Sequence, residues 1–181
     1  MLGSITRAGY YDNNGVNTRA TQDYIMTYDQ FGNTTKIEVG TEAGTLALGS
    51  YTYAPRNGVL QRMTYGNGDY TDYAYDNLGR TTKVTTSDGE AYDYTYTGNG
   101  QLFSVNDLTG GLKYRYHYDD LGRLIGSSIN QDNETLLRIQ AQYDENSRIS
   151  GQSWQMGEET YSEGFVYDDH GRLTSKTGLQ L

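Results

Sequence analysis

The sequence predicts an all-β protein built from tandem antiparallel β-hairpins, and three observations predict this fold. The motif Tyr-Asp-x-x-Gly, or a near form of it, recurs at steps of mostly 21 to 25 residues, and a constant period of this size indicates a repeat array. Tyrosine, a good strand former, occurs 19 times. Glycine occurs 23 times and proline once, as expected where turns need positive φ and strands need their backbone donors.

Residues 73–85 illustrate how one unit encodes a hairpin. Tyr73 and Tyr75 are two positions apart, so on an extended strand their side chains share a face. Asp76 suits the first position of a type I turn, where its carboxylate can accept backbone N–H groups, and Gly79 suits the fourth position. The β-branched residues that follow predict the returning strand.

The other units follow this plan with local departures. Ser147 stands where the unit at Tyr143 would have glycine, and the units at Tyr53 and Tyr96 keep an Asn-Gly pair in the turn. The units begin at Tyr11, Tyr28, Tyr53, Tyr75, Tyr96, Tyr118, Tyr143 and Tyr167. The residues that define the repeats structurally are Tyr28, Asp29, Gly32, Tyr75, Asp76, Gly79, Arg80, Tyr118, Asp119, Gly122, Arg123, Tyr143, Asp144, Tyr167, Asp168, Gly171 and Arg172. We predict a single array over residues 1–181, taken from a longer array because no polar cap flanks it.

Turn signals also lie between the units. They are Ser87-Asp88-Gly89, Gly110-Gly111 and Asn130-Gln131-Asp132-Asn133. Tyrosine-bearing strands are predicted at 91–96, 112–118 and 161–167. Residues 135–142 come nearest to a helical periodicity, and we predict a strand there because the segment leads directly into Tyr143-Asp144.

The composition at first favours disorder, but the tyrosines favour an ordered chain. Leu, Ile, Val and Phe together make up about 17% of the residues, and the net charge is −9. Each tyrosine can bury its ring while its hydroxyl stays hydrated or hydrogen-bonded. Cross-strand aromatic pairs contribute only about 0.2–1 kcal/mol each, so we expect several hairpins to be needed for a stable fold.

Several functional classes are disfavoured by composition. The chain has no cysteine, so disulfides and thiolate metal sites are excluded. No segment reads as a signal peptide or approaches the length of an apolar membrane helix. The acidic isoelectric point of about 4.6 argues against nucleic acid or anionic lipid as a partner.

Candidate catalytic and metal-binding residues are explained more simply by structure. Each motif offers only one or two carboxylates to a loop, whereas Ca²⁺ needs six to eight oxygen ligands. His117 lies between tyrosines on a predicted strand and His170 lies in a turn, and no nucleophile is paired with either. We therefore predict no metal, no cofactor and no catalytic residue, and we predict that the chain is not an enzyme.

Two sets of residues remain candidates for ligand contact. The arginines after the turns, Arg80, Arg123 and Arg172, are expected to pair with an acidic residue of a neighbouring unit or to stack on a tyrosine; the alternative is a row that faces a ligand. Tyr94, Tyr116 and Trp154 are candidates for a platform that stacks on sugar rings, although packing is the favoured role.

The segment from Tyr116 to Leu124, with the sequence YHYDDLGRL, resembles the YD repeat of the RHS-repeat family. Residues 165–173 repeat the pattern with phenylalanine at the first aromatic position. Residues 57–60 and 65–68 are similar to the family's variant that reads Asn-Gly-x-Leu and then Tyr-Gly-Asn-Gly. The resemblance covers nearly the whole chain, and its specificity comes from the number of motifs in phase.

The resemblance implies a continuous, curved or spiralling sheet that forms part of a shell. The family includes bacterial RHS-repeat proteins, toxin-complex shells and teneurin-like receptors, which are secreted or exposed at the cell surface. It implies a non-catalytic wall that encloses or presents another domain, including a toxin domain, and partners that are the remaining repeats and the enclosed domain. The alternative is a module that binds a glycan or a protein through exposed aromatic rows. The resemblance implies that full-length members end the shell with an Asp-Pro-x-Gly-like stretch that takes part in self-cleavage. Self-cleavage is not predicted here, because Pro55, the one proline, follows Ala54 and not an aspartate. Unpaired sheet edges predict self-association.

Overall fold

The computed structural model of the protein describes residues 2–11, 17–41 and 43–180. Every regular element among them is a β-strand, and consecutive strands are antiparallel hairpins, so the predicted fold class is confirmed. The turn of the first motif, at residues 12–16, lies outside the described residues.

Fifteen strands follow one another in the part of the chain that the structure describes. Their bounds are β1 Leu2–Tyr11, β2 Asn17–Tyr28, β3 Thr34–Thr41, β4 Gly44–Tyr53, β5 Leu60–Tyr65, β6 Tyr70–Tyr75, β7 Thr81–Thr86, β8 Ala91–Tyr96, β9 Leu102–Asp107, β10 Lys113–Tyr118, β11 Leu124–Gln131, β12 Glu134–Tyr143, β13 Ile149–Met156, β14 Glu159–Tyr167 and β15 Leu173–Gln180. The segment with the ambiguous periodicity, 135–142, lies within β12, so its prediction as a strand is confirmed.

The chain divides into two compact units. The N-terminal unit covers residues 1–90 and the C-terminal unit covers residues 91–181. Within each unit, every strand pairs in antiparallel fashion with the strand that follows it, which is the order of a meander. The prediction of a single array over the whole chain stays a prediction.

A β-bulge recurs at the start of the returning strand of the seven motif hairpins whose turns are described. In the hairpin of Tyr118, this tyrosine lies opposite Leu124, while His117 lies opposite Gly126, so Ile125 has no partner across the strand. The same one-residue shift follows Tyr28, Tyr53, Tyr75, Tyr96, Tyr143 and Tyr167. Bulges increase local twist and redirect side chains, so each motif ends its strand with a defined change of direction.

Residues that lie opposite each other on paired strands share a face of the sheet, and this defines two faces in the C-terminal unit. One face, the tyrosine face, carries the rows Tyr94, Val105, Tyr114, Ile129, Leu137 and Tyr116, Ser127, Ile139, Trp154, Tyr161. The opposite face, the polar face, carries the rows Ser104, Arg115, Ser128, Arg138, Gln155 and His117, Gly126, Gln140, Ser153, Ser162.

The sheets bury little of their surface. Val39 is the only buried hydrophobic residue among those whose side chains are described, and Ser104 is fully buried. The chain exposes 12805 Å², whereas a folded monomer of this mass exposes about 8,800 Å². The excess of about 4,000 Å² is the surface that a second packed layer normally covers.

Candidate functional site: the motif turns and the sheet faces

Five of the described motif turns are closed by their aspartate. In the turn after Tyr118, the Oδ1 atom of Asp119 accepts the N–H groups of Leu121 and Arg123 at 3.0 and 2.9 Å. The N–H of Gly122 donates to the carbonyl oxygen of Asp119 at 2.9 Å, and Gly122 has a φ of 78°. This is the type I turn expected from the sequence, with glycine at the position that requires positive φ.

The surroundings of these carboxylates favour their ionised form. The pKa of Asp168 is below its ordinary value, because the backbone N–H and the guanidinium of Arg172 both donate to it. For Asp119 and Asp144, partial burial acts in the opposite direction, but hydrogen bonds from the following arginine outweigh it and the pKa is again lowered. The ionised carboxylate is therefore part of the folded turn.

The arginine that ends each motif binds the aspartate of its own turn. The Nε atom of Arg123 lies 2.6 Å from Oδ2 of Asp119, and the turns at Arg80, Arg148 and Arg172 are alike. The expectation that the arginine pairs with an acidic residue of a neighbouring unit is therefore wrong for Arg123 and Arg172, whose ion pair lies within their own turn. Residues only four positions apart meet because the turn brings its two ends together.

Arg123 and Arg148 also stack on the tyrosine of the next motif, so the predicted stacking is confirmed for these two arginines. The guanidinium of Arg123 lies 4.5 Å from the ring centre of Tyr143, and that of Arg148 lies 4.7 Å from the ring centre of Tyr167. Arg148 also donates to the carbonyl oxygen of Asp168 at 3.2 Å. One arginine therefore closes its own turn and contacts the following turn.

The motif tyrosine makes a second link, to the preceding motif. The hydroxyl of Tyr143 donates to the carbonyl oxygen of Leu124 at 2.9 Å. Equivalent bonds join Tyr53 to Thr34, Tyr118 to Leu102 and Tyr167 to Ile149, at 2.8 to 2.9 Å. In each case the acceptor lies six residues after the tyrosine of the preceding motif, which is the residue opposite that tyrosine in the hairpin.

Two turns depart from the pattern but keep a link to the next one. Gln101 occupies the arginine position of its motif, and its Nε2 atom donates to the carbonyl oxygen of Gly122 at 2.8 Å. Ser147 occupies the glycine position with a φ of 61°, and its hydroxyl accepts a hydrogen bond from Arg123 at 3.0 Å. The side chain at the arginine position is thus used to contact the following turn even when its type changes.

The three aromatic candidates for ligand contact all lie on the tyrosine face. Tyr116 and Trp154 occupy the same row, three strands apart, and Tyr94 occupies the neighbouring row. Trp154 stacks on Tyr161 with ring centres 6.4 Å apart, and all three candidates are half-buried. They share a face but form no single pocket, and their role as contacts stays a prediction.

One shallow groove on the tyrosine face contains a candidate residue. It has a volume of about 200 Å³, and Tyr114, Tyr116, Ile129, Leu137 and Ile139 contribute its apolar lining. Its outer rim includes Ile139, which is 40% exposed. An apolar groove of this size can accept one aromatic or aliphatic side chain, which is a surface for binding rather than for chemistry.

The histidines and carboxylates of the described part of the chain do not converge. No group of three or more His, Cys, Asp or Glu side chains in it could hold a metal ion. His117 packs edge-on against Phe103, with ring centres 6.4 Å apart, and His170 lies exposed in a turn where its N–H donates to Asp168. The same part of the chain contains no helix long and apolar enough to cross a membrane.

The sequence interpretation missed the tyrosine link and the bulge. A signal for the tyrosine link was available, because the last residue before each turn is tyrosine in every unit, including those at Tyr53 and Tyr96, where aspartate is absent. A residue type retained where the turn chemistry changes indicates a role outside the turn. No comparable sequence signal marks the bulge, since the unpaired residue is threonine, serine, glutamine, phenylalanine or isoleucine.

Comparisons with known proteins agree with the repeat pattern. The sequence profile named RHS Repeat matches residues 56–91. A curated relative from Bacillus spizizenii, the tRNA3(Ser)-specific nuclease WapA, is 30% identical over 132 residues. That match covers 72% of this chain but only 5% of the relative's length.

Solved structures share the fold. Two crystal structures that contain TcdB2-TccC3, one of them without the hypervariable C-terminal region, superpose with TM-scores of 0.69 and 0.70 at 18% and 17% identity. Each superposition covers 98% of this chain and 10% of the solved chain. At this level of identity the likeness concerns the fold alone.

Proposed function

We propose that this chain is a segment of RHS/YD repeats and that it is a non-catalytic wall of a larger secreted or surface protein; the profile match over residues 56–91 and the fold shared with TcdB2-TccC3 support this. The wall encloses or presents another domain of the same protein. The observation that carries the proposal is the exposed area of 12805 Å² together with the near absence of a buried core. A sheet with so little self-contained core needs further polypeptide on its faces.

The links between successive turns suit a wall. Each hairpin is joined to the next by backbone pairing, by a tyrosine hydroxyl and, in the C-terminal unit, by a stacked arginine. Nearest-neighbour links of this kind allow an array to extend without a central core. The chemistry of the parent protein then resides outside the wall, and we assign the nuclease activity of the WapA relative to parts outside the 5% that this chain matches.

The partners that we propose are the remaining repeats and the domain that the wall covers. Secretion or surface exposure follows from the same family membership. We also propose that the isolated chain self-associates through its sheet edges, because unpaired strand edges pair with other strands. Light scattering over a concentration series would contradict this if the chain stayed a monomer throughout.

The test of the wall uses the parent protein under limited proteolysis. If the wall encloses a domain, that domain resists protease until the links between turns are broken. The variant Tyr143→Ala with Tyr167→Ala removes two successive links and is expected to expose the domain. Tyr65→Ala, at a tyrosine that is 42% exposed, is the matched control and should leave protection intact. Enclosure would be overturned if the protease digested the domain as fast in the unaltered parent as in the double variant.

A second candidate function is a binding module on the tyrosine face. It is favoured by the shared row of Tyr116 and Trp154 and by the apolar groove beside Tyr116. A glycan array probed with the chain and with Trp154→Ala tests it. Signal that is lost in Trp154→Ala supports binding of a glycan, and a silent array removes this candidate.

A further inference from the structure

The cations of the C-terminal unit are distributed unevenly. Seven lysines and arginines lie between residues 91 and 181. Four of them, Arg123, Arg148, Arg172 and Lys176, pair with carboxylates. The other three, Lys113, Arg115 and Arg138, have no carboxylate within ion-pair distance among the described residues.

All three of these cations lie on the polar face. Arg115 and Arg138 occupy one row, separated by Ser128, so they are two strands apart, a spacing of about 10 Å. Lys113 lies on the same strand as Arg115, two positions away and on the same face. The nearest carboxylate on this face by register is Asp93, two strands from Lys113. A local positive patch therefore exists on a chain whose net charge is −9.

The ring of Phe103 supports one cation of the patch, Arg115. The guanidinium of Arg115 lies 5.5 Å from the centre of the Phe103 ring, and His117 contacts the same ring edge-on. A guanidinium stacked on a ring keeps its N–H donors free for an anion, and less side-chain entropy is lost when the anion binds. Arg115 is thus preorganised for a carboxylate or a similar group.

Three grooves that share lining residues form a trough across the strands beside the patch. The first, of about 400 Å³, is lined by Gln101, Phe103 and His117 and by the carboxylates of Asp119, which is paired with Arg123, and Asp120. His117 also lines the middle groove, of about 450 Å³, with Gly126, Ser128, Arg138 and Gln140. Gln140 in turn lines the last groove, of about 590 Å³, together with Glu163, which is paired with Lys176. The segment of the trough next to the unpaired cations is therefore the middle groove. The trough runs from β9 to β14, a length of about 24 Å at the usual strand spacing.

The trough has a floor of glycines and walls of amides and hydroxyls. Gly126, Gly151 and Gly164 lie in strand interiors on the polar face, where glycine often marks the close approach of another backbone. The side chains of Gln142 and Thr177 already approach Gly151 and Gly164, so Gly126 is the open position. A Cβ atom at Gly126 would be 3.5 Å or more from its neighbours, so a side chain there is sterically allowed and would occupy the trough. Gln140, Gln142, Ser153 and Ser162 provide both donors and acceptors, as a peptide backbone requires.

We propose that this trough binds an extended, acidic polypeptide segment. Carboxylates of the segment bind Arg115, Arg138 and Lys113, while its backbone bonds to the glutamine and serine side chains. A small anion would engage one cation and leave the trough open, whereas about seven residues of extended chain span its length. The large exposed surface of the sheet also indicates a polypeptide cover. The proposal holds whether or not the wall encloses a domain.

The binding test uses a fluorescent peptide of about nine residues in which glutamate alternates with threonine, titrated with the full chain. Micromolar to millimolar binding that weakens as salt rises from about 0.05 to about 0.5 M is expected. The double variant Arg115→Gln with Arg138→Gln should lose about tenfold or more in affinity. Arg172→Gln removes an exposed arginine of another edge and should bind within about twofold of the unaltered chain.

A second variant distinguishes binding in the trough from attraction by the cations alone. Gly126→Val keeps every cation and fills the trough, so it should weaken the glutamate peptide while circular dichroism of the chain stays unchanged. The proposal is overturned if no peptide binds at low salt, if a threonine–glutamine peptide binds equally well, or if Gly126→Val binds normally. It is also overturned if an oligouronate of matched length and charge binds and the peptide does not.

Discussion

The turns at Tyr28 and Tyr53 in the N-terminal unit differ from those at Tyr118, Tyr143 and Tyr167 in the C-terminal unit at the arginine position. Asn33 takes this position after Tyr28, and its amide binds Asp29 at 2.9 Å. After Tyr53 the turn has alanine at the aspartate position and no arginine at its end, and it is one residue longer, with Ala54 and Val59 bonded at its base. The C-terminal turns have both residues in place.

What the two regions share is the backbone and the tyrosine. Gly58 has a φ of 68° and its N–H donates to Ala54, in the way that Gly122 donates to Asp119. Tyr53 still donates its hydroxyl to Thr34. The hairpin and its link through tyrosine therefore form without the aspartate–arginine pair.

What the N-terminal turns lose is the contact between one turn and the next. A groove of about 410 Å³ lies between the Asp29 turn and the Tyr53 turn, lined by Asn33, Pro55 and Arg56 among others. In the C-terminal unit the guanidinium of Arg123 extends over Tyr143 at the equivalent place. Closure of a turn and contact between successive turns are therefore separate roles of the motif.

Low pH should produce the largest difference in stability between turns with and without the aspartate. The pKa values of Asp29, Asp76, Asp119, Asp144 and Asp168 are all lowered from the ordinary value of 3.8. Their contribution to stability is complete above 3.8 and is lost as the pH falls through the lowered values of the folded state. Protection of turn amides against hydrogen exchange should therefore fall at Gly122 and Gly171 but persist at Gly58. Equal loss at all three would show that the turns do not differ in this way.

Removal of a linking tyrosine should have the next largest effect. Tyr143→Ala deletes the hydroxyl bond to Leu124 and the ring beneath Arg123. We expect the free energy of unfolding in urea to fall by about 3 kcal/mol, the low end for loss of a packed aromatic. Tyr65→Ala is the control at an exposed tyrosine, and a similar loss there would contradict the linking role.

The arginine contact can be measured by comparing two arginines that have the same intraturn partner. Arg148 binds Asp144, stacks on Tyr167 and donates to the next turn, whereas the side chain of Arg172 is 78% exposed and binds its own Asp168. Arg148→Ala should destabilise by about 1 kcal/mol and Arg172→Ala by a few tenths, as for an exposed pair. Equal effects in urea unfolding would place all of the stabilisation within the turn.

Introduction of the missing arginine should have the smallest effect on stability. Asn33→Arg provides a side chain that can bind Asp29 and extend into the groove beside Pro55. We expect stabilisation of about 0.5 kcal/mol, the usual scale for one partly exposed cation–π contact. Asn33→Lys is the control with equal charge and no planar group, and an equal gain there would mean that charge alone matters.

The sequence sufficed for the strands and the turns because both depend on local chemistry. Asp76 and Gly79 predict their turn by φ preference and by carboxylate hydrogen bonds, and the structure has both. The position of β12 followed from its continuity with Tyr143-Asp144. Periodicity then gave the order of the hairpins.

The links between units could not be derived in the same way. Arg123 has an acidic partner four residues before it and an aromatic partner twenty residues after it. The sequence offers no means of deciding between these two partners. The register across each bulge decides which carbonyl a tyrosine reaches. The trough on the polar face depends on glycines from three strands that lie in two neighbouring rows of one face, which the period alone does not specify.

The tyrosine bond has a consequence for how such chains change in length over evolution. Its donor is the motif tyrosine and its acceptor lies six residues after the preceding motif tyrosine, while the separation between the two ranges from 16 to 19 residues. Duplication or deletion of a whole unit therefore restores the bond at the new junction, and the hairpin between two motifs can change in length without losing it. Gene segments of this kind can recombine at period boundaries without a compensating mutation elsewhere.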